Sequence, residues 1–354
     1  MKRPLLLTLS VSCLLAFRRH PSADGFVVAT TTKTTTTTTT TGSGTILYSS
    51  RRFATILKDT PLSPQQQQQQ QQQCFRKERT IRLPKSGREV TLISRTLPID
   101  SNLLQNITVW EWKNPSEVVN AYWDAQTHQM TTMTASSSAF TSKDPSSNAP
   151  SLLDPFGLMT WPGSVKAAQE LCRHIDAVQG RHVVVLGAGV GVETQAASIL
   201  GAKQVISTDI HPTTLQQLQV GIDQEPRIPS DVVQTQILDL FAIDHQPLPT
   251  PCDLLVAADV LYNEQLAKQI CRRCAEAYRR NPKIQLLITD SQRFVPTFIE
   301  DLNTALEAVA VAEGRNFEKV DWHVETMEGF TGSGVMIDDD QMYNVKVQHV
   351  WIGL

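Results

Sequence analysis

From Asp154 onward, short apolar runs alternate with stretches of helical spacing, and this alternation restricts the fold more than any other feature of the chain. Residues 182–186, 204–208, 232–238, 253–258 and 284–289 read as five strands. Residues 165–177, 193–200, 213–222 and 263–278 carry helical spacing or length between them. Strands that are apolar on both faces and separated by helices specify a parallel sheet covered on both sides. A further helix, about 296–310, precedes two more runs, 320–326 and 343–352. The link between those runs is too short for a helical crossover, so they are expected to pair as an antiparallel hairpin. The expected fold class is α/β: a seven-stranded sheet of five parallel core strands plus a C-terminal antiparallel hairpin, with helices on both faces.

The start of the chain reads as an address. Met1-Lys2-Arg3 is followed by an apolar run, 4–17, too short to span a bilayer, and by small residues at Ala23-Asp24-Gly25. Residues 1–25 are therefore expected to be a signal peptide that leaves Phe26 at the new terminus. Residues 26–60 are rich in Thr and Ser, carry Lys33, Arg51, Arg52 and Lys58, and hold no acid before Asp59, which is transit-peptide composition. The pair resembles the two-part plastid address of algae with secondary plastids, so a plastid location is expected; the alternative is the secretory pathway. Nowhere do about 18 uncharged apolar residues run together, so no stable membrane insertion is expected.

Residues 1–60 hold eight of the chain's 32 basic residues and two of its 35 acidic ones, which leaves 24 against 33 and a net charge of -9 for 61–354. An acidic domain attracts cationic partners and disfavours nucleic acid. Residues 61–78 contain the polyglutamine tract 65–73 and read as a disordered spacer. Residues 79–126 read as a small N-terminal β extension. In it, alternating runs 80–83 and 89–93 form a hairpin, 107–112 forms a third apolar run, and a helix begins near Asn114. Residues 127–150 read as a flexible insertion, leaving 151–354 as the main domain.

Gly187-Ala188-Gly189-Val190-Gly191 follows the first core strand and opens a helix, where a ligand can approach main-chain amides. A dinucleotide fingerprint would need a third glycine at 192, where Val192 stands, which demotes a nicotinamide enzyme. Asp209 ends the second strand, placed to accept from both hydroxyls of a ribose, and Asp239 follows the third, placed to accept from an adenine amino group. Either aspartate alone would read as a helix cap or a solvated loop. Ligands of open α/β sheets sit at the strands' C-terminal ends, and both aspartates fall there beside a glycine loop.

These residues, with Gly157-Leu158-Met159-Thr160-Trp161-Pro162 and Ala258-Asp259-Val260-Leu261-Tyr262, resemble a class I (seven-β-strand) S-adenosylmethionine-dependent methyltransferase. More narrowly, the chain is similar to the family-16 protein-lysine N-methyltransferase and nicotinamide N-methyltransferase-like group over about 150–354, and residues 290–296 add to the likeness. The resemblance implies a Rossmann-like sheet and S-adenosyl-L-methionine as cofactor. It implies cofactor contacts from Trp161, Gly187, Ala188, Gly189, Gly191, Asp209, Asp239 and Ala258. Asp259 and Tyr262 would border the methyl-acceptor channel, Asp259 attracting a cationic side chain and Tyr262 orienting its nitrogen. The expected partner is a protein with an accessible lysine. Trp161 also reads as a core residue.

The chain departs from the family pattern at Val185, where an acid usually stands, and at Leu240, where an aromatic is common. Weaker cofactor binding, or replacement of the missing acid by Glu193 or another acid, would follow. Cys271-Arg272-Arg273-Cys274 lacks a second ligand pair for zinc, so no metal is expected. Residues 329–334 (GFTGSG) read as a flexible hairpin loop, and Asp338-Asp339-Asp340 as solvated. Rival functions are a small-molecule methyltransferase on the same fold and a non-catalytic cofactor-binding protein that acts through its N-terminal extension.

Overall fold

The computed structural model describes residues 76–82, 87, 89–99, 101–114, 155–291, 295–335 and 342–353. The signal peptide, transit-like segment, polyglutamine spacer, the helix expected beyond Asn114, the 127–150 insertion and Asp338-Asp339-Asp340 lie outside these residues. The main sheet comprises β4 (His182–Leu186), β5 (Gln204–Asp209), β6 (Val233–Ile237), β7 (Leu254–Ala258), β8 (Gln285–Asp290), β9 (His323–Phe330) and β10 (Tyr343–Ile352). Its strand order is β6-β5-β4-β7-β8-β10-β9. β4 to β8 are parallel, and β10 runs antiparallel to both β8 and β9. The helices are α1 (Pro162–Arg173), α2 (Val192–Ile199), α3 (Pro212–Gln224), α4 (Glu264–Arg280) and α5 (Phe298–Ala312).

Strand side chains alternate between faces, so each parallel strand divides its apolar residues between two cores. Val183 and Val185 of β4 join Val165 and Leu171 of α1 and Ala196 of α2 in one core. Val184 and Leu186 join Ile270 and Cys274 of α4 and Phe298 and Leu302 of α5 in the other. Cys271 and Cys274 therefore sit on the buried face of α4, where burial pushes the Cys271 thiol up to about 12 and the Cys274 thiol well above its ordinary value.

β1 (Glu78–Arg82), β2 (Glu89–Pro98) and β3 (Asn106–Trp112) form a second, antiparallel sheet in the order β1-β2-β3. β2 extends beyond the predicted 89–93 because Ser94 and Arg95, which break the apolar pattern, are buried with partners. β3 is an edge strand, and an edge leaves every second carbonyl without a ladder partner. Side chains from the main domain fill that row. Asn106 O accepts from Arg227 Nη2 at 3.1 Å, Thr108 O from Gln195 Nε2 at 3.0 Å, and Trp110 O from Gln217 Nε2 at 2.5 Å. The described residues accordingly form one compact unit.

A buried carboxylate binds this sheet to two loops. Glu111 of β3 is fully buried and ion-paired to Arg95 at 2.5 Å. Glu111 Oε1 accepts from Thr160 N at 2.9 Å and from Ser333 Oγ at 2.9 Å. Arg95 in turn donates to Thr331 O, and Gly334 N donates to Thr160 O at 2.7 Å. The loop after β9 is thus a packed turn, with Gly332, Ser333 and Gly334 buried, and not the flexible loop expected. Its glycines serve close approach, since a Cβ on Gly334 would overlap Thr160 O and the Trp161 ring. β9 begins later than expected, at His323, because apart from Met327 and Phe330 it exposes much of its length and gives a weak apolar signal.

Burial alone would raise the Glu111 pKa, but the Arg95 charge and the Thr160 hydrogen bond outweigh it and hold the carboxyl below the ordinary 4.5. Its stabilising contribution is present above pH 4.5 and is lost as pH falls through the lowered folded-state value. Glu111→Gln leaves Arg95 buried without its counter-charge and is expected to cost about 3 kcal/mol in chemical denaturation at pH 7. The deficit should shrink as the pH is lowered below 4.5; a deficit independent of pH would contradict the ion pair.

Candidate functional site

The strand order reverses between β4 and β7, and the segments that leave their C-terminal ends diverge around a crevice. The glycine loop leaves β4 with positive φ at all three glycines: 61° at Gly187, 50° at Gly189 and 87° at Gly191. L side chains rarely adopt this backbone, and the space is also closed, since a Cβ on Gly187 would lie 2.7 Å from Val260 and one on Gly191 2.8 Å from Leu218. Ala188 is buried, and its N–H donates to Thr208 O at 2.8 Å, fixing the loop to β5.

Asp209, 8% exposed, turns its carboxylate toward this loop. Oδ2 lies 3.4 Å from Gly189 N, and Oδ1 accepts from His211 N at 2.9 Å. The turn Pro155–Leu158 lies over the same place, with Gly157 beside Asp209 Oδ2. Asp239 stands one strand farther out. Its Oδ1 accepts from Phe241 N at 2.9 Å, and buried Arg273 of α4 holds its segment by donating to Asp239 O and Gln246 O, both at 2.8 Å. Ile210, Ile237 and Phe241 are each about half exposed at these strand ends, although most large apolar side chains are buried. Leu240 packs against the core, and Phe241, one position later, is the exposed aromatic of this segment.

Three aromatic residues gather on the other side of the crevice. Phe156 lies between Trp161, at a centroid distance of 5.8 Å, and Tyr262, at 5.2 Å. Trp161 is half-buried and donates Nε1–H to Phe156 O at 2.8 Å. Phe156 was missed by sequence reasoning, because a lone Phe in a loop carries no periodic signal.

Asp259 follows the buried strand end Ala258 with a φ of 52°, outside the usual range for a non-glycine residue. Its carboxylate accepts from Gly163 N, from Ser291 N at 2.5 Å and from Ser291 Oγ at 2.8 Å. Gly163 O in turn accepts from Thr289 Oγ1 at 2.8 Å. Asp259 therefore holds the first turn of α1, which Trp161 precedes, against the end of β8. Burial and, second, the neighbouring Asp290 carboxyl push its pKa up to about 8. Glu193, in the first turn of α2, is also buried, and desolvation pushes its pKa up to about 7. Val185, where an acid was missing, is sealed in the same core that α1 and α2 cover. Among the described residues no group of three or more His, Cys, Asp or Glu side chains could hold a metal ion. No helix among them is long and apolar enough to cross a membrane.

Five parallel strands in this order with an antiparallel hairpin inserted at one edge constitute the class I methyltransferase fold. Residues 152–305 match the model of the lysine methyltransferase family. The electron transfer flavoprotein beta subunit lysine methyltransferase of Homo sapiens is 28% identical over 129 residues, covering 36% of this chain and 47% of that protein. The Danio rerio protein of the same name is 27% identical over 199 residues, covering 55% and 69%. The chain thus spans about half the length of the human relative. Among solved structures, a putative RNA methyltransferase from Pyrococcus horikoshii superposes with a TM-score of 0.37 at 15% identity, covering 55% of this chain and 85% of that one.

The cofactor of this class is S-adenosylmethionine, and the residues present suit it. Asp209 beside the glycine loop suits a ribose, exposed Ile210 and Phe241 suit the faces of a purine, and the buried Glu193 carboxyl suits a cation. Asp209→Ala is expected to weaken S-adenosylhomocysteine binding at least ten-fold by calorimetry with the circular dichroism spectrum unchanged; equal affinity would remove Asp209 from the site.

Proposed function

We propose that this chain transfers a methyl group from S-adenosylmethionine to a lysine side chain of a protein. The observation that carries the reading is the meeting of two unlike sets of residues across one crevice. Asp209 and the glycine loop stand on one side, and the rings of Phe156, Trp161 and Tyr262 on the other. The family match and the relatives named as lysine methyltransferases support lysine as the acceptor.

The cofactor supplies a methyl group already activated on a positively charged sulfur, so the protein's work is alignment and exclusion of water. Aromatic faces attract an ammonium and provide an apolar wall that favours its neutral form. Tyr262 contacts the acceptor nitrogen in this reading. A lysine ammonium must lose a proton before its nitrogen attacks, and in this reading Asp259 attracts the incoming cationic side chain toward the apolar wall that favours that loss. Asp259 also positions Trp161 through Gly163. The net negative charge of 61–354 favours a basic protein surface around the target.

The test is transfer of a tritiated methyl group into a plastid extract, followed by fractionation and acid hydrolysis. Label is expected in protein as methyllysine. Methylarginine, or label confined to the small-molecule fraction, would refute the lysine reading. Tyr262→Ala is expected to lower kcat/KM for the protein acceptor at least ten-fold while S-adenosylhomocysteine affinity stays within about two-fold, which would separate the acceptor side from the cofactor side. For location, the composition of 1–60 supports a plastid. Fusion of residues 1–60 to a fluorescent protein in an alga with secondary plastids should mark the plastid, and secretion would point to the alternative.

A further inference from the structure

Five glutamates are buried in the described part of the chain: Glu111, Glu170, Glu193, Glu225 and Glu276. Four have a cation within ion-pair distance. Glu111 pairs with Arg95 at 2.5 Å, Glu170 with Lys166 at 2.7 Å, Glu225 with Arg227 at 2.7 Å and Glu276 with Arg273 at 2.8 Å. Glu193, 2% exposed, has none among the described residues, and its Oε2 has no hydrogen-bond partner among them. A buried carboxylate without a counter-charge is costly, so a fold that otherwise pairs its buried glutamates leaves this one needing an explanation.

The neighbours of Glu193 show which way its carboxyl points. Thr194 shares a hydrogen bond with Ser207 of β5 at 2.7 Å, and Gln195 donates to Thr108 O of β3 at 3.0 Å, so the next two side chains are engaged with the two sheets. The contact made by the Glu193 carboxyl is with Ser164, in the first turn of α1. Ser164 adjoins Gly163, which Asp259 clamps, and Glu193 stands two residues beyond Gly191, where the glycine loop ends. The carboxyl therefore faces the first turn of α1, which Trp161 precedes, just beyond the glycine loop in the chain and on the side of the sheet where Val185 is apolar. Both helix starts favour negative charge, which helps keep an acid there ionised once a cation arrives.

We propose that Glu193 binds the α-ammonium group of the cofactor's amino-acid end and is the acid that gives this site its affinity for that end of the ligand. The proposal rests on the cofactor assignment above. It makes Glu193 a ligand-recognition residue, not a core residue.

Calorimetry with three ligands tests it: S-adenosylhomocysteine, its analogue lacking the α-amino group, and 5'-methylthioadenosine, which lacks the amino-acid end altogether. The wild-type protein should bind S-adenosylhomocysteine at least ten-fold more tightly than the deamino analogue. Glu193→Gln should lose at least ten-fold for S-adenosylhomocysteine, lose nothing for 5'-methylthioadenosine, and no longer distinguish the amino from the deamino ligand. Without ligand, the variant should melt at or above the wild-type temperature, because an unpaired buried acid has been neutralised; a structural role would lower it. Unchanged S-adenosylhomocysteine affinity in Glu193→Gln, or equal losses for all three ligands, would overturn the proposal. If the variant does not fold, the wild-type comparison decides alone, and equal binding of the amino and deamino ligands overturns it. A wild-type protein that binds none of the three would instead sink the cofactor reading itself.

Discussion

The Glu111 carboxylate is the interaction on which the architecture around the crevice depends. It is fully buried on β3, and besides its ion pair with Arg95 it takes hydrogen bonds from Thr160 and Ser333. One charge thereby ties together three parts of the chain: the small sheet, the segment leading into α1, and the turn after β9. Because the cost of burying a carboxylate is offset only when every partner is in place, the three segments are held together or not at all. Trp161, next to Thr160 and packed against Gly334, inherits its position from this arrangement.

A second clamp of the same kind acts from the main sheet. Asp259 takes the N–H of Gly163 while Thr289 donates to its carbonyl, so the first turn of α1 is fixed on both sides. The lack of a side chain on Gly163 is what allows the approach, since a Cβ there would overlap the carboxylate. Two buried acids, one from each sheet, thus determine where Trp161 and Phe156 stand relative to the glycine loop and Asp209. Polar contacts fix the segments around the crevice, while apolar packing beneath holds the strands that carry them.

The small sheet belongs to this machinery. Its edge carbonyls at Asn106, Thr108 and Trp110 are each taken by a side chain of the main domain. The β3 edge, so covered, has no free ladder with which to recruit another strand.

The sequence by itself determined the parallel core, because strands buried on both faces leave uninterrupted apolar runs between helices; β10 was read at its observed limits, and β4, β5, β7 and β8 to within a residue or so. It also located the glycine loop and Asp209, since a loop at a strand end followed by an acid at the next is a local pattern. Only the tertiary structure decided which polar residues would be buried together. Arg95, Glu111, Ser333 and Phe156 carry no periodic signal, and Glu111 meets Ser333 across 222 positions of sequence. The segment 329–334 looked flexible because glycine permits mobility, whereas at Gly332 and Gly334 it permits contact. A buried charge is legible only through its partner, and those partners come together only when the chain has folded.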